Sequence, residues 1–210
     1  MKEGYIPRDR RKTILLLGDD IRVHSGVAQI GREFVLNSCH RYNFTCIGGA
    51  VKHPEKGKRF DMSVPIKNES GVEDASVFLY PVDNYGDIDT LRAIIKLDNP
   101  DAIFFITDPR YYKWLFEVEN EFRVKMPFIY LNIWDDVPAP VYNKDFYDSY
   151  DALLGISKQT VNINKMVLGD KAKDKIIEFV PHGLNNKIFK PIHEEDPELR
   201  EFRNKIHQGK

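Results

Sequence analysis

Cysteine is scarce: Cys39 and Cys46 are the only two in 210 residues. One falls on an expected helix and one on an expected strand, which suits buried free thiols in a reducing cytoplasm. Long apolar runs are missing too, and none approaches the length needed to cross a bilayer. The start, Met1-Lys2-Glu3-Gly4-Tyr5, is polar, and no apolar core of a signal peptide follows it. Charge of one sign is absent, with 31 Lys and Arg against 32 Asp and Glu leaving a net charge of -1. That balance gives no electrostatic case for nucleic acid or an anionic membrane as a bulk partner. The basic residues between 52 and 59 are the one local exception. Internal repeats and low-complexity tracts are missing as well. Neither G-x-G-x-x-G nor G-x-x-x-x-G-K-[ST] occurs, which argues against a standard dinucleotide site and against a P-loop. The acidic residue that a dehydrogenase needs at the end of its second strand is absent also, since Gly48-Gly49-Ala50 stands there.

What is present is the material for a sizeable core. A hydrophobic share of 42% with 30% charged residues fits one large domain with a short extension. The chain is organised around residues 13–36. Thr13-Ile14-Leu15-Leu16-Leu17-Gly18 is a continuous apolar run, the signature of a strand buried on both faces of a parallel sheet. A polar loop follows, and from Val27 the period changes: Val27, Ile30 and Phe34 share one face of a helix. Ser25 is a good N-cap, and Gly26 lets a ligand approach the first free backbone N–H groups, where a phosphate is favoured. Asp19 and Asp20 would repel that phosphate unless their side chains turn away.

The same alternation continues to the end. Residues 1–12 read as an irregular basic arm. Strands are expected at 44–48, 77–80, 102–106, 128–133, 152–156 and 176–180. Asp87 should cap a helix bearing Ile88, Leu91 and Ile95, and Ser157 one that runs to about Leu168. Tyr111, Leu115, Val118 and Phe122 keep helical spacing and read as core. Residues 50–76 break the rhythm as a solvated excursion around a short extended piece at 60–66, and a last helix is expected at 198–206. Steady strand–helix alternation implies an α/β fold: a doubly wound, mainly parallel Rossmann-like sheet with helices on both faces. Ligands of such sheets sit beyond the carboxyl ends of the strands, where strand order reverses.

Four segments at those ends, taken together, resemble a known family. Pro181-His182-Gly183-Leu184-Asn185-Asn186-Lys187-Ile188-Phe189-Lys190-Pro191 is a tight glycine turn, a polar turn and an exit that Phe189 anchors and Pro191 stiffens. It resembles the "P-x-G-hydrophobic-Asp-x-x-x-Phe-x-Pro" segment of retaining GT-B glycosyltransferases of the family-4 type. Ile156-Ser157-Lys158 is similar to that family's hydrophobic-Ser junction, and residues 129–138 to its strand ending in His-Asp-hydrophobic-x-Pro. Ser25-Gly26-Val27-Ala28 is similar to its glycine loop after strand one. Three positions depart from the pattern. The first loop has one glycine where many relatives have two, Asn185 stands where most have Asp, and Trp134 replaces the usual His. Indole cannot accept a hydrogen bond through its nitrogen, although it can stack on a sugar face.

The resemblance implies an N-terminal domain over 13–191, preceded by the arm 1–12 and followed by a linker and helix over 192–210, with the second, donor-binding domain absent. It implies a mainly acceptor-binding half of a hexosyltransferase-type enzyme. That enzyme would move a sugar from a UDP- or GDP-linked donor to a saccharide, lipid-linked or protein acceptor, with retention and with neither cofactor nor metal. On the same grounds Asp135 is the candidate catalytic residue. Ser25, Gly26, Val27, Trp134, Asp136, His182 and Gly183 are candidates for contacts to the donor diphosphate and sugar. The half alone is expected to show no turnover. A stand-alone sugar-, nucleotide- or protein-binding module of the same fold is the second reading, and a different Rossmann-like enzyme, such as an epimerase, the third.

Overall fold

A computed structural model describes residues 2–186 and 189–208. Strand β1, Lys12–Asp19, is one residue longer at each end than the apolar run, because β2 pairs with it along its whole length, from Lys12 to Asp19. Helix α1 spans Gly26–Ser38, and β2 spans Tyr42–Gly49. Here the first departure occurs. The expected extended piece at 60–66 is a two-residue strand, β3 at Phe60–Asp61, followed by helix α2, Ser63–Ser70. Pro65 sits in the first turn, where a missing N–H costs nothing, Gly71 closes the helix in the left-handed region, and Ile66 is buried beneath it.

Strand β4, Val77–Pro81, and helix α3, Ile88–Asp98, follow as the sequence indicates, with the Asp87 carboxylate accepting from the Thr90 N–H at 2.9 Å. After β5, Ala102–Phe105, the expected single helix is broken into a 3-10 turn and two short helices, α4 at Lys113–Phe116 and α5 at Asn120–Arg123. The break shifts the buried position by one: Tyr112 goes into the core, and Tyr111, read as core, is 55% exposed. Strand β6, Phe128–Asn132, helix α6, Lys144–Ser149, strand β7, Ala152–Gly155, and helix α7, Lys158–Leu168, complete the regular part. Strand β8, Ile176–Phe179, and helix α8, Pro197–Gln208, come last. The arm is not irregular throughout: it holds a 3-10 turn at Arg8–Arg10 and is fastened by Arg11, whose buried guanidinium meets Asp74 at 2.6 Å.

The sheet order is β3-β4-β2-β1-β5-β6-β7-β8, parallel except for β3. From β1 the chain winds outward to β2 and β4, then returns to β5 and winds the other way, so strand order reverses between β1 and β5. Two cores lie on the two faces. One, around Leu15, Phe105, Phe128 and Tyr150, is covered by α3 through α7. The other, around Leu16, Val35, Phe44 and Leu79, is covered by α1 and α2. On that second face Ile129, Leu154 and Ile156 are only partly buried, and Ile176 of β8 is 61% exposed. Thus β8, the last of the expected strands, is an open edge. Cys39 and Cys46 are buried free thiols, and burial pushes the Cys46 thiol far up. No helix among the described residues is long and apolar enough to cross a membrane.

Candidate functional site

The carboxyl ends of β1 and β5 meet at the reversal point, and α1 begins there. Ser25 caps α1 with its hydroxyl accepting from the Ala28 N–H at 3.0 Å. The two acidic residues after β1 behave differently. Asp20 turns away from the helix and is fully buried, gripped by Arg22 Nη2 at 2.8 Å with His53 Nε2 at 3.1 Å. This cluster pins the loop at residues 52–57 onto the loop after β1, so that part of the excursion is not simply solvated. Asp19 does not turn away: it accepts from the Ser25 hydroxyl at 2.5 Å and from the Tyr85 hydroxyl at 3.1 Å. Burial, together with the Asp19 charge, pushes the Tyr85 phenol up to about 12, so it remains a donor. A diphosphate arriving at Ser25-Gly26-Val27 would therefore share the space with a carboxylate.

Two strands further along, β6 delivers Trp134. Parallel strands are about 4.8 Å apart, which puts the ends of β1 and β6 roughly 10 Å from one another. The backbone of Trp134 is clamped from both sides. Its N–H donates to Asn132 Oδ1 at 3.0 Å, and its carbonyl accepts from Thr160 Oγ1 at 2.9 Å. Asn132 is fully buried, and its Nδ2 donates to Asn164 Oδ1 at 2.6 Å and to the Tyr147 hydroxyl at 2.8 Å. Ser157 caps α7 and Thr160 lies one turn along, so the serine junction noted in the sequence also positions the Trp134 loop. The indole N–H donates to the Asp136 carbonyl at 2.8 Å. It is thereby spent inside the loop, which leaves the ring face for contact. Asp135 and Asp136 are exposed, and Asp136 Oδ1 accepts from the Val137 N–H.

The remaining candidates lie apart from this group. His182 and Gly183 are exposed beyond the open edge strand β8. The polar turn after them runs back across the sheet, and Asn185 Nδ2 reaches Glu33 of α1 at 3.4 Å. Phe189, expected to anchor the exit, is 64% exposed and does not do so. Lys187 and Ile188 of the same motif lie outside the described residues.

Tyr85, Arg110 and Tyr142, none of them a candidate from the sequence, and Tyr111, read there as core, also pack near these strand ends. Tyr85 and Tyr111 stack at 4.4 Å, and Arg110 lies over the Tyr142 ring at 5.1 Å while Asp108 holds its guanidinium. An exposed aromatic leaves no trace in periodicity. Asn132, a polar residue ending an apolar strand, did leave one.

No family profile and no curated protein sequence matches the chain. Solved structures do. A glycosyltransferase from Rickettsia africae ESF-5 superposes with a TM-score of 0.54 at 14% identity, over 95% of this chain and 50% of its own. Medicago truncatula UGT71G1 complexed with UDP-glucose superposes at 0.45 and 13% identity, over 96% of this chain and 58% of its own. The chain has a glycosyltransferase-like fold. It spans about half the length of either structure.

Proposed function

We propose that residues 1–210 form the N-terminal, mainly acceptor-binding half of a retaining GT-B glycosyltransferase that uses a UDP- or GDP-linked sugar. The observation that carries this reading is the grouping of the capped α1 start and the clamped Trp134-Asp135-Asp136 loop on one sheet edge, at the reversal point of a glycosyltransferase-like fold. Asp135, exposed and next to Trp134 in the chain, would accept a hydrogen bond from a sugar hydroxyl. The backbone N–H groups of Gly26 and Val27 at the start of α1 would donate to the leaving diphosphate as it develops charge; preorganised donors of that kind contribute on the order of 3 kcal/mol each. Asp19 beside them argues that the cations neutralising the phosphates come from another domain. On this reading the half alone binds donor weakly and turns nothing over.

The test is a titration of UDP, GDP and their sugars into the ¹⁵N-labelled chain. Amide shifts confined to residues 25–28 and 134–136, lost in Trp134→Ala, are the expected result. Shifts only elsewhere on the surface, or sugar transfer by residues 1–210 unaided, would refute the reading.

A further inference from the structure

Between Trp134 and Tyr142 the chain folds into a notch of about 480 Å³, lined by those two residues with Val137, Pro138, Ala139 and Val141 and by one charged residue, Asp136. Apart from that carboxylate its walls are apolar. The Trp134 indole N–H is spent on the Asp136 carbonyl, Asp136 Oδ1 on the Val137 N–H, and the Val141 N–H on the Ala139 carbonyl. Gln159 also holds the Asp135 carbonyl, so the loop is fastened to α7 at two successive residues. A loop tied at this many points cannot collapse to hide its side chains. Val137 and Val141 are each 68% exposed, and Tyr142 is 57% exposed. Rigidly presented apolar groups around a concavity are the mark of a ligand wall.

The polar chemistry of the lining is a single carboxylate. Asp136 is exposed, its Oδ1 accepts from the Val137 N–H while its Oδ2 has no hydrogen bond among the described residues, and the Arg110 guanidinium lies over the Tyr142 ring at 5.1 Å. A saccharide pushed into the notch would leave most of its hydroxyls without partners, which costs free energy for each group buried. A flat apolar ring carrying one hydroxyl has no such difficulty: the ring fills the notch and the hydroxyl meets the Asp136 carboxylate in its lining. We propose that this notch is the acceptor subsite and that the acceptor is a hydroxylated aromatic or alicyclic ring, a hydrophobic aglycone. The proposal rests on the glycosyltransferase reading, with Trp134 shared between the notch and the sugar site.

The experiment is three separate titrations of the ¹⁵N-labelled chain, with 2-naphthol, methyl α-glucopyranoside and UDP-glucose. 2-Naphthol should move the Trp134 indole N–H and the amides of Val137, Val141 and Tyr142 saturably. Val141→Asp, on an exposed side chain, should keep the dispersed spectrum and weaken this binding about tenfold or more by placing a charge in the wall. Absence of these shifts at millimolar 2-naphthol, or an unchanged affinity in Val141→Asp, overturns the proposal. So does a response of the same amides to methyl α-glucopyranoside alone, which would make the notch a saccharide site. UDP-glucose reads out separately at residues 25–28. If it is silent while 2-naphthol binds, the donor reading fails and the hydrophobic subsite stands.

Discussion

Gly49 shows how closely the site is built. A Cβ added there would lie 2.2 Å from the Asn84 carbonyl oxygen and 2.8 Å from the Tyr85 ring. The same carbonyl takes the Ala50 N–H at 2.7 Å, so the turn that carries Tyr85 is laid directly on the end of β2. The adjacent pair Gly48-Gly49 thus serves close approach and not a reversed backbone, and through Tyr85 it fixes Asp19. Gly49→Ala should cost about 3 kcal/mol or more, since backbone has to move to admit the methyl group. A urea midpoint lowered accordingly, with the slope unchanged, would confirm it; a loss under about 0.5 kcal/mol, the size of an ordinary surface substitution, would show that the turn is loose.

At the scale of elements, the arm is the instructive case. Arg11 is buried, donating to the Ile6 and Asp74 carbonyls and to Asp74 Oδ1, and the Tyr5 hydroxyl donates to Asp74 Oδ2 at 2.7 Å. Burial alone would raise the Asp74 carboxyl, but the Tyr5 hydroxyl and the Arg11 guanidinium outweigh it and hold it below the usual carboxylate range. A depressed folded value means that this stability is present above the unfolded value of about 3.9 and is lost as pH falls through the folded one. Asp74→Ala strands the Arg11 charge and should cost about 3 kcal/mol at pH 7. The gap between wild type and variant should begin to narrow below about pH 4, where the unfolded carboxylate takes up its proton first, and close as pH falls through the lower folded value. Equal loss at pH 7 and pH 3 in chemical denaturation would show that the ion pair contributes nothing.

What the sequence made readable and what it hid divide along the same line. Elements whose evidence is local were legible: the apolar run of β1, the Ser25, Asp87 and Ser157 caps, and the strand–helix alternation that determines the sheet. Helix α2 was hidden because eight residues with one buried apolar position have almost no periodicity. The Tyr111 and Tyr112 exchange was hidden because a 3-10 turn alters the phase by a fraction of a residue. Among site residues, Ser25 and Trp134 could be picked out by position in the chain. The Asp20–His53, Asp19–Tyr85, Tyr85–Tyr111 and Arg110–Tyr142 contacts could not, because each joins residues more than 20 apart that meet only in the fold.

For the molecule as a whole, the unequal cover of the two faces has a dynamic meaning. From β3 to β1 the sheet is sandwiched between helices, whereas β6, β7 and β8 are roofed on one face and leave Ile129, Leu154, Ile156 and Ile176 incompletely covered on the other. Local opening free energy follows buried apolar contact. In hydrogen exchange the amides of β1 and β2 should be protected by close to the full unfolding free energy, those of β7 by less, and those of β8 least. Uniform protection across the sheet would contradict this ordering. The Trp134 loop belongs to the looser regime: its strand lies in the half-roofed wing, and Thr160, which holds Trp134, and Asn164, which holds Asn132, belong to α7 of the same wing. Breathing of that wing would loosen the indole and the notch beside it together, while the Asp19–Ser25 corner, rooted in the sandwiched half, stays shut.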